Sequence, residues 1–517
     1  MSNIPRARLE SVYSPTSRSR QVQNFHPSYL DNINYEVGFE VEQSQDTGLN
    51  LYSENPVGSG IIKTIVNGTI GTGLDLESSV LRDLLPKEVT DEMVKEFQKK
   101  VEAYWRVYSN TPSLCDFYGQ RRMGELEAMG LAMSLYSGDH LRHLPMAKVG
   151  DMYLPKVQLI SGRLVSSPEH SDTGKVVAGV ERDRYGRDVA YYVERIVDSE
   201  PETVKWDRFE CRSRNGRLAF KLIKLNEVEE GMVRGRSIFN CIKELMIQTG
   251  RYTEAEVTKA IIQACVTLFI ESEKDNIEDD EDSGIAAIAE SRVEDPTVTT
   301  PDEEEDEDTP ITLSPGAAYK LPPGQKAHLA EATAPVAQFT LFMEELLKII
   351  GMATDIPYEV LIKSLNASYS ASQASIQQAA RSWAIWRAEY GSKFLSDIYS
   401  QFIECLVRQG KVNAPGYLDG DPFVRLAWEM AVWHGPAVLH IDPVKAVTAS
   451  KIAVAEGFST GEIEARRLYN NNFDANVKRL GEEKKLKEEN GLTGAPMQEQ
   501  GTGSGKDNEE DNDDGEK

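Results

Sequence analysis

The sequence predicts an α+β chain, and three observations carry that assignment. A proline-free stretch from about Ser375 to Arg408 places large apolar residues three or four apart, the period of a helix. Between Leu144 and Leu225 the pattern changes to short β-branched and aromatic runs punctuated by turn residues. Helical patterns flank that stretch on both sides and resume toward the C-terminal end.

A length of 517 residues leaves room for several substructures. The chain contains no apolar window of ~18 residues, and Met1-Ser-Asn-Ile-Pro-Arg-Ala-Arg8 leads into no apolar core. A soluble protein with neither signal peptide nor membrane span is therefore expected. Cys115, Cys211, Cys241, Cys265 and Cys405 are isolated and odd in number, which favours reduced, mostly buried thiols over a disulfide framework or a zinc knuckle. The net charge of −26 is unevenly distributed. Glu271–Thr309 holds 18 acidic and 2 basic residues, net −16, and Met497–Lys517 holds 8 and 2, net −6. The remainder is nearly neutral and gives no basic signal for tight phosphate binding.

In chain order, the first ~55 residues are rich in Ser, Asn, Gln and Tyr and read as an arm with little regular structure. Its Arg18-Ser-Arg20 reads as a solvated surface or a phosphate contact. The segment from Ile61 to Leu74 ends in Gly68, Gly71 and Gly73. That spacing fits no dinucleotide fingerprint, and a helix end followed by a tight turn is expected. Thr90 caps a helix to Tyr108 with Val94, Phe97, Val101, Tyr104 and Tyr108 on one face. A second helix is expected from Ser113, with Asp116 in a capping-box variant, to about Tyr136.

Within the β-rich stretch, Val157–Ile160, Val176–Glu181, Ala190–Glu194 and Leu218–Ile223 read as strands. Arg182-Asp-Arg-Tyr-Gly-Arg187 reads as a hairpin loop in which Gly186 takes positive φ. Helix is expected again from Ser237, with a joint at Gly250 and a new capping box at Thr253 and Glu256, ending near Ile270. The acidic run should repel itself and stay disordered; Asp279–Asp282 and Asp302–Asp308 lack the spacing of a calcium loop. Order resumes at Ile311-Thr-Leu313 and Tyr319–Gln325, followed by a helix from Val336 to Ala353. Pro357 then forces a turn, because the residue before proline is pushed toward extended geometry. A small polar loop, Lys363–Ser372, precedes the long helix, which Gly410 stops. Helices Pro443–Glu456 and Thr460–Leu480 flank Gly457-Phe-Ser-Thr460.

An active site would need a nucleophile with its base, a metal cluster or a phosphate cradle. His140-Leu-Arg-His143 has i,i+3 spacing but follows a helix break and reads as surface. No Gly-x-Ser-x-Gly elbow occurs. Gly174-Lys175 and Gly505-Lys506 are followed by Val and Asp, so neither is a phosphate-binding loop of the ATPase kind. No catalytic residue, metal or cofactor is expected, and a hydrolase is the weakest reading.

The run Ile356-Pro-Tyr-Glu-Val-Leu361, then Tyr369-Ser-Ala-Ser372 and the long aromatic helix, resembles the portal proteins of lambda-type tailed phages. Similar to the same family are the Gly71–Gly73 turn, Val233-Arg-Gly235, Leu321-Pro-Pro-Gly324, Asp442-Pro-Val-Lys445 and Gly457-Phe-Ser459. The matches spread over residues 60–475, and their order is more specific than any one of them. The resemblance implies a portal fold: arm and wing at 1–111, a first stem helix at 112–138, a β-rich clip at 139–235 and a second stem helix at 236–270. It continues with an acidic disordered insertion at 271–310 and a wing at 311–440 that carries a channel loop (363–374) and a long kinked helix (375–410). A helical crown at 441–490 and an acidic disordered tail at 491–517 complete it.

The same resemblance implies a ring of subunits, commonly twelve, at one capsid vertex of the virion. Double-stranded DNA would pass through it non-specifically, and assembly would take place in the host cytoplasm. Implied partners are the large terminase subunit, which would supply ATP hydrolysis, a head completion or adaptor protein, and the major capsid and scaffold proteins, with no membrane. Lys363, Ser364, Asn366, Ser368, Tyr369 and Ser370 are the candidate channel loop; the alternative places that loop at a subunit interface. Arg182, Arg184, Tyr185 and Arg187 are the candidate clip surface for terminase or connector; a solvated turn is the alternative. A non-portal virion or scaffold protein is the competing class.

Overall fold

The computed structural model describes residues 33–168, 175–197, 200–264, 268–270, 318–320, 336–365, 368–438 and 440–490. The expectations for residues 1–32, the acidic run and the acidic tail lie outside these. The chain divides into two compact units at Gly435 and Pro436.

The first departure from the sequence reading is α1, Ile33–Ser53, where an unstructured arm was expected. Its apolar residues are sparse, so periodicity gave little warning; Val41, Gln45 and Leu51 are nevertheless buried. Asn55 caps α2, Pro56–Thr69, accepting from the N–H of Val57 and Gly58. The expected tight turn at Gly71 and Gly73 follows, both with positive φ. A short strand β1, Asp75–Ser78, leads to α3, Asp91–Asn110, which Thr90 caps through Met93 N–H.

On α3 the buried stripe holds Trp105 where Tyr104 was expected; Tyr104 stays exposed. Trp105 wins because its ring meets four others, those of Tyr108, Tyr399, Phe402 and Trp433, at 5.3, 5.7, 5.3 and 5.4 Å between centroids.

The helix expected from Ser113 is broken. One turn, Pro112–Cys115, ends at Asp116, whose carboxylate accepts from the N–H of Gln120 and Arg121 and so folds a loop instead of capping a helix. Helix α4 is Met123–Ser137, stopped by Gly138 at φ 94. The strands then begin earlier than the sequence suggested, with β2 at Asp139–His143, followed by the hairpin β3 (Met146–Val149) and β4 (Met152–Pro155), and β5 at Gln158–Ser161. Strand β6 is Val176–Val177, β7 Val180–Arg182, β8 Asp188–Val197, β9 Glu200–Glu210 and β10 Phe220–Lys224. They form an antiparallel sheet of order β10-β2-β5 and a four-stranded meander β6-β7-β8-β9.

The surface expectation for His140 and His143 is corrected by β2. It is the central strand of its sheet, and Asp139, His140, Leu141 and Arg142 are all buried. Ser134 Oγ lies 2.7 Å from His140 Nδ1, and burial with Arg142 nearby pushes that imidazole down to about 3, so it stays neutral. His143 stacks on Phe220 at 4.0 Å.

Where the module rejoins the helices, two backbones almost touch. A Cβ on Gly235 would meet Gly138 O at 2.0 Å, and one on Gly138 would meet the Gly235 carbonyl at 2.5 Å. The neighbouring residues lock this crossing. Arg234 Nε and Nη2 each donate at 2.7 Å to an oxygen of Asp139, and the remaining N–H groups go to the carbonyls of Val165, Ala178 and Gly162. All five guanidinium donors are thereby used inside the protein.

Helix α5, Lys243–Ala264, runs through Gly250 without the expected joint. Thr253 Oγ1 donates to Thr249 O at 2.9 Å, the bond of a mid-helix residue and not of a cap. Residues 238–242 are turns, with Ile238, Phe239 and Ile242 buried. Strands β11 (Leu268–Ile270) and β12 (Ala318–Lys320) pair in parallel. Helix α6 is Val336–Thr354, as expected.

Helix α7 spans Tyr369–Arg408, 40 residues or roughly 60 Å at ~1.5 Å per residue. It buries Ile376, Ala379, Tyr390, Phe394, Ile398, Phe402 and Leu406, as the spacing predicted, while Ala380, Trp383 and Trp386 are half-buried. Arg142, on β2, donates to the Phe394 carbonyl and, at 2.9 Å, to Asp397, which Lys221 also reaches at 2.7 Å. Helix α8 (Pro422–Glu429) and strand β13 (Ala431–His434) complete this unit, with β13 pairing back to β1.

The second unit is helical. Asp442 caps α9, Pro443–Ala455, and Thr460 caps α10, Gly461–Tyr469. The helix expected to reach Leu480 breaks at Asn470, which takes φ 50, and restarts as α11, Phe473–Glu489, capped by Asn472.

Two outcomes follow. Arg234→Met leaves the Asp139 carboxylate buried and uncompensated, so the urea midpoint should drop by the equivalent of about 3–5 kcal/mol, and Arg234→Lys, lacking the planar fork, should recover less than half of that. Glu127, 1% exposed, accepts from Leu74 N–H at 2.9 Å, and burial pushes its carboxyl up to about 8, with Asp75 adding to the rise. A raised folded value means the native state binds the extra proton. This contribution to stability therefore falls as pH rises through the interval between the ordinary 4.5 and about 8. Glu127→Gln should remove up to about 1.4 kcal/mol per pH unit of that decline in urea titrations; an unchanged slope would refute the assignment.

Candidate functional site

The candidate loop sits between α6 and α7. Asp355 takes φ 56 and Ile356 N–H returns to Gly351 O, so the chain reverses before Pro357 and makes one turn, Tyr358–Leu361. Lys363 takes φ 56. Glu359 pins both sides of the loop: its carbonyl accepts from Ser364 N–H at 3.0 Å and its carboxylate from Ser375 Oγ at 3.1 Å.

The loop is shorter than the sequence suggested. Ser368 Oγ accepts from Ala371 N–H and its carbonyl from Ser372 N–H, so the helix begins at Tyr369, and Ser372 and Ile376 are already buried. Lys363, Ser368 and Ser370 are exposed and Ser364 is half-buried. Ser370 thus belongs to the first turn of α7, while Asn366 and the side chain of Tyr369 lie outside the described residues. From Lys363 to Ser372, Lys363 is the one charged residue.

The second candidate is the hairpin tip between β7 and β8. Asp183 organises it, its Oδ1 accepting from the N–H of Tyr185 at 2.8 Å and of Arg187 at 2.9 Å, its Oδ2 from Arg187 Nε at 2.8 Å. Those bonds, the Arg187 N–H first, hold its carboxyl below the usual range. Gly186 takes φ 80, as expected. Tyr185 is 67% exposed, and the guanidinium carbons of Arg184 and Arg187 lie 4.6 and 5.5 Å from its ring centre.

Arg182 is separate from that group. Its guanidinium bonds Asp188 at 2.9 Å and the carbonyls of Gly231 and Met232, which ties the hairpin to the outgoing chain. The exposed candidates brought together are therefore Arg184, Tyr185 and Arg187.

The sequence reading passed over a third feature, the turn Cys211-Arg-Ser-Arg-Asn-Gly-Arg217 between β9 and β10. Three arginines around an Asn-Gly pair were the available signal. Among the described residues no group of three or more His, Cys, Asp or Glu is placed to hold a metal ion, and no helix is long and apolar enough to cross a membrane.

Comparison with known proteins bears out the family resemblance. The family described as phage portal protein, lambda family, matches residues 28–387. Portal protein B of Escherichia phage lambda is 24% identical over 390 residues, covering 73% of this chain and 72% of its own. The portal protein of Escherichia phage N15 is 25% identical over 402 residues, with the same two coverages, 73% and 72%. Among solved structures, a chain from the neck of an empty gene transfer agent particle, computed with C6 symmetry, aligns over 82% of this chain and 92% of its own, at 13% identity and a TM-score of 0.45. One from the virion of a native gene transfer agent particle aligns over 83% and 92%, at 12% identity and a TM-score of 0.42. The match to residues 28–387 places this chain in the lambda family of phage portal proteins.

Proposed function

We propose that copies of this chain close into a ring, twelve in the reading taken from the family, at one capsid vertex. There they serve as a passive conduit through which double-stranded DNA is packaged and ejected. The single observation that carries this is membership of the portal family over residues 28–387. The β module of residues 139–235 is the clip, flanked by stem segments at 112–138 and 236–270; residues 311–440 form the wing and 441–490 the crown. The loop beginning at Lys363 faces the channel. One lysine per subunit gives graded, sequence-independent contact, which suits a moving duplex better than many phosphate contacts that would hold it.

The exposed trio Arg184, Tyr185 and Arg187 is the surface that meets the large terminase subunit and later the head completion protein. Terminase supplies the ATP hydrolysis, and the major capsid and scaffold proteins surround the ring during assembly.

Negative-stain images of the purified chain should show closed rings with a central hole. Monomers under every assembly condition, or unaided ATP turnover, would end this reading. The tip assignment has its own outcome. Arg182→Ala should lower stability by about 1–3 kcal/mol, since it strips bonds from two backbone carbonyls and Asp188. Arg184→Ala with Arg187→Ala should stay within about 0.5 kcal/mol while reducing terminase capture by assembled rings. Thermal melts and a pull-down separate the two.

A further inference from the structure

We infer that the arginine turn Arg212–Arg217, with the cleft beside it, is a docking site for an acidic polypeptide segment, and that its occupant is this chain's own run Glu271–Thr309. The turn is built to present cations. Ser213 N–H donates to Arg217 O and Gly216 N–H to Ser213 O, both at 2.8 Å, with Gly216 at φ 76. Arg212 Nη1 donates to Gly216 O at 2.9 Å, which holds that side chain against the turn. Arg212 and Arg214 are exposed and Arg217 half-buried, and none of the three has an acidic partner among the described residues.

Arg212, Asn215, Gly216 and Arg217 of the turn line a cleft of about 1040 Å³ together with Gln401, Glu404 and Arg408 of α7, and Arg214 stands beside it in the same turn. The carboxylates of this cleft are already matched. Glu404 is bound by Arg408 at 2.7 Å and Arg425 at 3.1 Å, and Asp397 by Arg142 at 2.9 Å and Lys221 at 2.7 Å. The turn's guanidinium groups are therefore the surplus charge. Their planar forks suit carboxylates that arrive from elsewhere.

Two considerations select the occupant. A wall that mixes guanidinium, amide and matched carboxylate groups offers donors and acceptors of the kind a polypeptide with acidic side chains presents in return. The acidic run, 18 carboxylates against 2 cations, belongs to the same chain as the turn, which raises its local concentration. The stretch from β11 to β12, residues 271–317, could extend roughly 75 Å out and back at ~3.3 Å per residue.

The test uses the full-length chain carrying Arg212→Lys, Arg214→Lys and Arg217→Lys, which keeps the charge and supplies primary amines. A zero-length carbodiimide should join these positions to carboxylates of Glu271–Thr309, identified by peptide mapping. The yield should fall about fivefold or more from about 50 mM to about 500 mM salt, as an exposed ionic contact does. The same exchange at Arg184 and Arg187, also exposed, should give at least about fivefold fewer such links, since electrostatic docking is local on the scale of the screening length. Equal yields at the two turns, links confined to carboxylates outside the run, or a salt-insensitive yield each overturn the inference. It is also overturned, in favour of a nucleic-acid contact, if a short DNA duplex blocks these amines while the run never links to them.

Discussion

The buried fork between Arg234 and Asp139 is the constraint on which the rest of the first unit depends. A module of more than eighty residues leaves a helix at Gly138 and must return beside it at Gly235, with backbones so close that neither position tolerates a Cβ. Such a crossing brings the carbonyls of Gly162, Val165 and Ala178 into a water-free space, and they need donors. One guanidinium supplies them all while its charge is held by Asp139. Buried ion pairs often add little net stability compared with apolar replacements. Its role is register: an apolar pair could fill the volume, but it would take the guanidinium donors away from the Gly162, Val165 and Ala178 carbonyls and leave the crossing free to slip.

A second arginine extends the same logic from the sheet to the long helix. Arg142 projects from the central strand β2 to the Phe394 carbonyl and Asp397 of α7. Desolvation works against its charge, and Asp397 offsets only part of that loss. The carboxyl of Asp397 opposes its own desolvation through Arg142 and Lys221, and it ends below its usual range. The β module and the 40-residue helix are therefore joined by charge-assisted bonds that have direction, as well as by apolar packing that has none.

This placement explains which parts of the fold were legible. Helices α3, α6 and α7 bury one apolar stripe each, and their 3.6-residue period survives in the sequence. Strand β2 reads Asp-His-Leu-Arg-His, a polar surface to any hydropathy argument, because its charged partners Arg234 and Asp397 are far away in the chain. Strand β9 was missed for a related reason: its charges are answered across the strands, Asp207 by Arg195 and Arg208 by Glu181. The candidate loop is legible in the sequence but shorter than its composition suggests, since a serine that reads as loop is also the helix cap at Ser368. At the hairpin tip, spacing could not separate Arg182, turned to backbone carbonyls, from Arg184 and Arg187, left outside.

The same division of labour bears on how a conduit handles a polyanion. Arg142, Arg182 and Arg234 spend their donors on internal carbonyls and carboxylates, so their charge is neutralised where it sits. Exposed arginines stand on the turns around Tyr185 and Asn215, and Lys148, Lys175 and Lys205 are exposed elsewhere in the β module. A duplex is held in proportion to the number of phosphates neutralised at once. A proposed channel loop with Lys363 as its one charge keeps that number small. On the conduit reading, the internal arginines thus fix the scaffold without adding friction along the path of the DNA.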